Sequence, residues 1–147
     1  MEKYYTPSIE EFYVGFEFEY NKGKDNWVKH ISGNSDFKDG MIDVGVGEVG
    51  DALYNPFHMG ISKRDFRVKR LDREDIESLG WVNGEIYGMG CYLRPDKNGK
   101  AIIDGYQLVF HSWEYIEIYQ ESTSDIKFSG TIKNKSELKK VLKMLGI

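Results

Sequence analysis

Cysteine is almost absent: Cys91 is the only one in 147 residues. A single thiol excludes an internal disulfide and any cysteine-rich metal site, and it suits a reducing cytosol. Proline is nearly as scarce, and Pro7, Pro56 and Pro95 fall between periodic segments, where turns belong. Long apolar runs are missing, so no stretch reads as a membrane span. The opening Met1-Glu2-Lys3-Tyr4-Tyr5 lacks the apolar core of a signal peptide. Repeats, low-complexity tracts and Ser- or Pro-rich linkers are missing too. A single domain over residues 1–147 is therefore expected, since domains typically run about 100–200 residues. The three histidines, His30, His58 and His111, stand apart, with none in H-x-E, H-x-x-H or a cysteine pairing. Neither a metal nor a cofactor is expected from such spacing.

What is present argues for a folded core. Aromatic residues make 14% of the chain and apolar residues 40%, whereas a disordered chain would lack the former. The formal net charge is −4 and the sequence pI about 5.4, which disfavours a nucleic-acid coat. The charge is uneven. The first sixty residues carry 5 Lys/Arg against 11 Asp/Glu, and the remainder 15 against 13.

Periodicity supplies the elements. Phe12, Val14, Phe16, Phe18 and Tyr20 alternate with Tyr13, Gly15, Glu17 and Glu19, which predicts a strand with carboxylates on its outer face. Residues 21–26 read as a polar turn and Trp27–Ile31 as the hairpin partner. Further strands are predicted over 41–49, 66–70, 86–93, 102–111, 113–120 and 125–133. Asp72, with Glu74 and Asp75 behind it, predicts the start of a short helix that Gly80 ends. Asn134 and Glu137 open a second helix, with Leu138, Val141, Leu142 and Leu145 as its apolar stripe and Gly146 as its stop. Short connections imply antiparallel neighbours. The expected class is α+β: a bent antiparallel sheet of about six to eight strands, with one short middle helix and a C-terminal helix packed on it.

Three blocks stand out: Tyr4-Tyr5-Thr6-Pro7-Ser8-Ile9-Glu10-Glu11-Phe12-Tyr13-Val14-Gly15-Phe16-Glu17-Phe18-Glu19, residues 67–81 from Arg67 to Trp81, and residues 128–139 from Phe128 to Lys139. Together they resemble small phage proteins of the type found in bacteriophages of gut Bacteroidetes. The blocks cover under half of the chain but follow one another in order. The resemblance implies a phage-encoded accessory protein in the cytoplasm of an infected host cell. It carries no catalytic motif, so it implies nothing about chemistry.

Several local patterns invite a functional reading. Gly45-Val46-Gly47-Glu48-Val49-Gly50 matches G-x-G-x-x-G, but Pro56 cuts short any helix behind it, and Arg70 stands where the ribose-binding acid belongs. A glycine-rich strand end explains it better. Cys91, between Gly90 and Tyr92, reads as a small buried hydrophobe. Glu17 and Glu19 read as the solvated face of their strand.

The strongest signal is basic. Lys63, Arg64, Arg67, Lys69, Arg70 and Arg73 are opposed within residues 63–73 only by Asp65 and Asp72. Arg67 and Lys69 alternate with Phe66 and Val68, so they share an outer strand face that suits phosphate. Tyr4, Tyr5, Trp27, Trp81 and Trp113 are numerous enough to supply a stacking partner for a base. The predicted anion or nucleotide site is Lys63, Arg64, Arg67, Lys69, Arg70 and Trp81. The competing explanation is cross-strand pairing of these cations with Glu17 and Glu19.

These features favour a non-enzymatic binding protein that acts against host defence, either by sequestering a small nucleotide or by inhibiting a host protein. Nucleic acid and membrane are disfavoured as partners, and a homo-oligomer is left open. An alternative is a metal-dependent phosphate-ester hydrolase gathering Asp43, Glu48 and Asp51. A minor virion component is another.

Overall fold

The computed structural model describes residues 2–21, 24–38, 41–42, 66–84, 90–95, 98, 105–111, 114–120 and 122–147. The fold is α+β, and every strand pair among the described residues is antiparallel. The chain divides into two units, Met1–Arg70 and Leu71–Ile147, each with its own hydrophobic cluster.

The first unit contains β1 (Tyr4–Tyr5), β2 (Glu17–Asn21), β3 (Trp27–Ile31), β4 (Phe37–Lys38), β5 (Met41–Ile42) and β6 (Phe66–Lys69). β1, β6, β2 and β3 lie side by side in that order, while β4 and β5 pair separately. The expected hairpin forms, with Glu17 opposite Ile31 and Asn21 opposite Trp27. Its inner face carries Phe18 and Tyr20, which join Phe12, Phe16, Phe66 and Val68 in an aromatic-rich core.

The strand expected over residues 12–20 begins only at Glu17. Gly15 is the cause: its φ of +94° lies in the left-handed region and breaks the extended run. A turn closes there, with the Phe16 N–H donating to the Tyr13 carbonyl at 2.9 Å. The buried Ser32 hydroxyl secures it, accepting from the Phe16 N–H at 3.1 Å and donating to the Tyr13 carbonyl. Phe12 still reaches the core, its ring centroid 5.1 Å from those of Phe16 and Phe18. Val14 is turned out, 53% exposed.

The second unit contains α1 (Arg73–Ser78), β7 (Val82–Asn83), β8 (Cys91–Leu93), β9 (Tyr106–Phe110), β10 (Tyr115–Gln120), β11 (Asp125–Thr131) and α2 (Lys135–Leu145). Its five strands form a meander in the order β11, β10, β9, β8, β7. Tyr92, Leu108 and Ile118 follow one another across the sheet, and Ile76, Trp81, Leu138 and Leu142 pack with them. Both predicted caps form. The Asp72 carboxylate accepts from the Asp75 N–H at 3.0 Å, and the Asn134 side chain accepts from the Glu137 N–H at 2.9 Å. Gly146 ends α2 in the left-handed conformation.

Alternation predicted a single bent sheet; the described strands instead divide between a four-stranded sheet, a five-stranded sheet and a two-stranded pair. Alternation identifies the buried face of a strand but not its partner. The edge strand β11 is bulged beside Ile118 and Tyr119, which leaves Lys127 without an opposite residue. Bulges and lysines on an edge discourage pairing with another chain.

The α2 stripe gives a direct test. Leu142 is 5% exposed and Met144 is 78% exposed. Leu142→Ala should lower unfolding free energy by about 2–5 kcal/mol in a denaturant titration, while Met144→Ala should stay within about 0.5 kcal/mol of wild type. Equal effects would contradict the placement of the stripe.

Candidate functional site

The site begins with the four residues of β6. Phe66 and Val68 point into the first core, so Arg67 and Lys69 occupy the opposite face. Antiparallel register aligns Arg67 with Glu19, Glu19 with Lys29, Glu17 with Ile31 and Tyr4 with Lys69. Residues directly opposite on one face of a sheet are within reach of one another.

Arg67 is held from three directions. Its Nε donates to Glu19 Oε2 at 2.6 Å. Its Cζ lies 3.9 Å from the centroid of the Tyr4 ring and 4.1 Å from that of Trp27. β1 lies on one side of β6, with β2 and then β3 on the other, so the two rings approach from opposite sides. The guanidinium therefore touches one side chain from each of the other three strands of its sheet. Side-chain exposure is 28% for Arg67 and 13% for Glu19, so the charge pair is partly screened from water. A planar cation over an aromatic face contributes about 0.5–2 kcal/mol, more as it is desolvated. Among the described residues no further hydrogen bond or ion pair engages this guanidinium. Its terminal nitrogens Nη1 and Nη2, four N–H donors in a fixed plane, are left for another acceptor.

The other predicted residues have different fates. Lys69 shares the outer face with Arg67, opposite Tyr4. Arg70 follows the strand: its N–H donates to the Lys3 carbonyl at 2.9 Å and its Cζ lies 5.2 Å from the Tyr5 ring centroid. Lys63 and Arg64 lie outside the described residues. Trp81 is 2% exposed and belongs to the core of the second unit, where Arg94 stands 5.7 Å from its ring. Its burial leaves no open face there for a base. The predicted cross-strand pairing is realised between Arg67 and Glu19. The residues that complete the clamp, Tyr4 and Trp27, were recognisable only as aromatics.

Three further candidates within the described residues are paired or buried. His30 meets Asp36 at 2.9 Å, and the Asp36 carboxylate also accepts from the Gly33 N–H at 2.6 Å. His111 meets Glu117 at 3.0 Å. Cys91 is buried, and its sulfur accepts from the Gln107 side-chain amide. Burial pushes the Tyr92 phenol up from its ordinary range. His58, Trp113, Asp43, Glu48, Asp51 and the run Gly45–Gly50 lie outside the described residues. Among the described residues no three His, Cys, Asp or Glu side chains gather as metal ligands, and no helix is long and apolar enough to cross a membrane. No family model, curated protein or solved structure matches the chain.

A double-mutant cycle on Arg67→Ala and Glu19→Ala measures the clamp. Its coupling energy should reach about 1–3 kcal/mol, above the roughly 0–1 kcal/mol of exposed pairs. The more exposed Lys127–Asp125 pair, at 3.6 Å, supplies the internal comparison and should give the smaller value. Equal couplings would show that the rings and partial burial add nothing.

Proposed function

We propose that this chain is a non-enzymatic binding protein that sequesters a small nucleotide, with the Arg67 clamp as the group that takes the phosphate. The single observation behind this reading is the guanidinium held by Tyr4, Trp27 and Glu19 with its terminal donors uncommitted among the described residues. A fixed fork binds an oxyanion without first losing rotamer freedom. Lys69 on the same face adds a second positive charge. Trp27 and Tyr4 bring aromatic surface to the same place, as proteins that hold a base beside its phosphate do.

The three sequence blocks that resemble small phage proteins supply the context. In that context the protein works in the cytoplasm of an infected cell and opposes host defence by removing a nucleotide signal. Inhibition of a host protein is the form that survives if nucleotides do not bind.

Thermal melts with a panel of linear and cyclic nucleotides at millimolar concentration test the reading. A ligand that prefers the native state raises the melting temperature by mass action. The increase should shrink as salt rises, since exposed charges are screened within about 10 Å at 0.1 M. The double variant Arg67→Lys plus Lys69→Ala keeps a cation between the rings but removes the fork, so it should fold and lose the increase. Absence of any shift across the panel would overturn nucleotide sequestration.

A further inference from the structure

The outer face around Arg67 carries opposing charges at close quarters. Among the described residues, register places Arg67, Lys69 and Lys29 on this face together with Glu17 and Glu19, and Lys3 Nζ lies 5.9 Å from the Tyr4 ring centroid. Glu19 sits on the guanidinium itself, 2.6 Å from Nε. The Glu19 carboxylate therefore offsets much of the positive potential that the guanidinium itself would present, although the donors are well placed.

That combination bears on the charge of the ligand. Attraction to a fixed potential grows in proportion to ligand charge, whereas the cost of stripping water from an ion grows with its square. Where the potential is weak, the squared cost dominates and the singly charged ligand wins. Geometry adds a second constraint. With Tyr4 and Trp27 against the guanidinium and Nε committed to Glu19, a ligand meets Arg67 along the Nη1–Nη2 edge. That edge matches two oxygens side by side. A phosphodiester offers two non-bridging oxygens and one negative charge; a phosphomonoester brings a third oxygen and, above its second pKa of about 6, a second charge.

Resting on the nucleotide reading above, we infer that the clamp selects phosphodiesters over phosphomonoesters, so that its ligand is a cyclic or internally linked nucleotide with no terminal phosphate. Glu19 is then both the residue that holds Arg67 in place and the residue that sets the selection.

The test compares 3′,5′-cyclic AMP with AMP, which share base and sugar, by thermal melts at low salt and pH 8. Cyclic AMP should half-saturate the protein at a concentration about tenfold lower than AMP. Lowering the pH to about 5.5 protonates the AMP phosphate and should bring its half-saturation towards that of cyclic AMP, with cyclic AMP itself as the control. Glu19→Gln, which keeps the shape and removes the charge, should shrink the preference at pH 8. AMP binding as tightly as cyclic AMP at pH 8 in the wild type would overturn the selection and leave nucleotide binding standing. So would a preference that neither the pH nor Glu19→Gln moves. No shift with either compound, together with none across the wider panel, would overturn nucleotide binding itself.

Discussion

One guanidinium ties the first sheet together. Arg67 on β6 meets Tyr4 on β1, Glu19 on β2 and Trp27 on β3. Among the described residues β1 pairs through only two residues, and β6 meets β2 through only two register positions. Pairings that short hold poorly on backbone hydrogen bonds alone. Arg67 and Glu19 lie 48 residues apart, so their pair also closes a long loop, with the entropic cost that closure entails. Lysine would hold a charge between the rings but fill this place less well, because its compact ammonium has neither a flat face for two rings nor a directed Nε–H. The aromatic core beneath, from Phe12 to Val68, buries the apolar face of these strands, and the clamp joins them on the other face.

The same constraint gives the proposed site its chemistry. A surface arginine ordinarily gives up rotamer freedom when it grips an anion, and here that freedom is already gone. Glu19 has two opposed consequences: it orients the fork and it lowers the positive potential the fork presents. Under the proposal, such a site discriminates by charge and oxygen geometry more than by raw attraction. The second unit contributes a core of its own, and its features are those of a scaffold: caps at Asp72 and Asn134, the buried Trp81 and a bulged, lysine-bearing edge.

Legibility in the sequence followed the range of each interaction. Helix ends were readable because caps act over three or four residues, as Asp72 with Asp75 and Asn134 with Glu137 do. The hairpin Glu17–Ile31 and the inward face of Phe66 and Val68 were readable from alternation. The start of β2 was not, since a glycine at positive φ leaves the apolar alternation of Phe12, Val14 and Phe16 unchanged. β1 and β7, at two residues each, are too short to have a period. The division into separate sheets was invisible because alternation carries no partner information. At the site, the pairing of Arg67 with Glu19 was legible as one of two alternatives. The rings around it were not, because Tyr4 and Trp27 are brought there by long-range register alone. Trp81 read as a stacking surface because a tryptophan following a basic run looks the same in sequence whether it is buried or exposed.

The central claim is that Arg67 is a fixed, aromatic-enclosed guanidinium with its terminal donors available to an anion. Nitrogen-15 NMR of the arginine side chains tests this most directly. The account predicts one Nε–Hε resonance, removed by Arg67→Lys, that is shifted by the flanking rings and exchanges slowly with water. Addition of 3′,5′-cyclic AMP should then perturb the Nη signals of that same residue. An Arg67 signal that exchanges as fast as those of exposed arginines, or Nη signals that the nucleotide leaves unmoved, would contradict it.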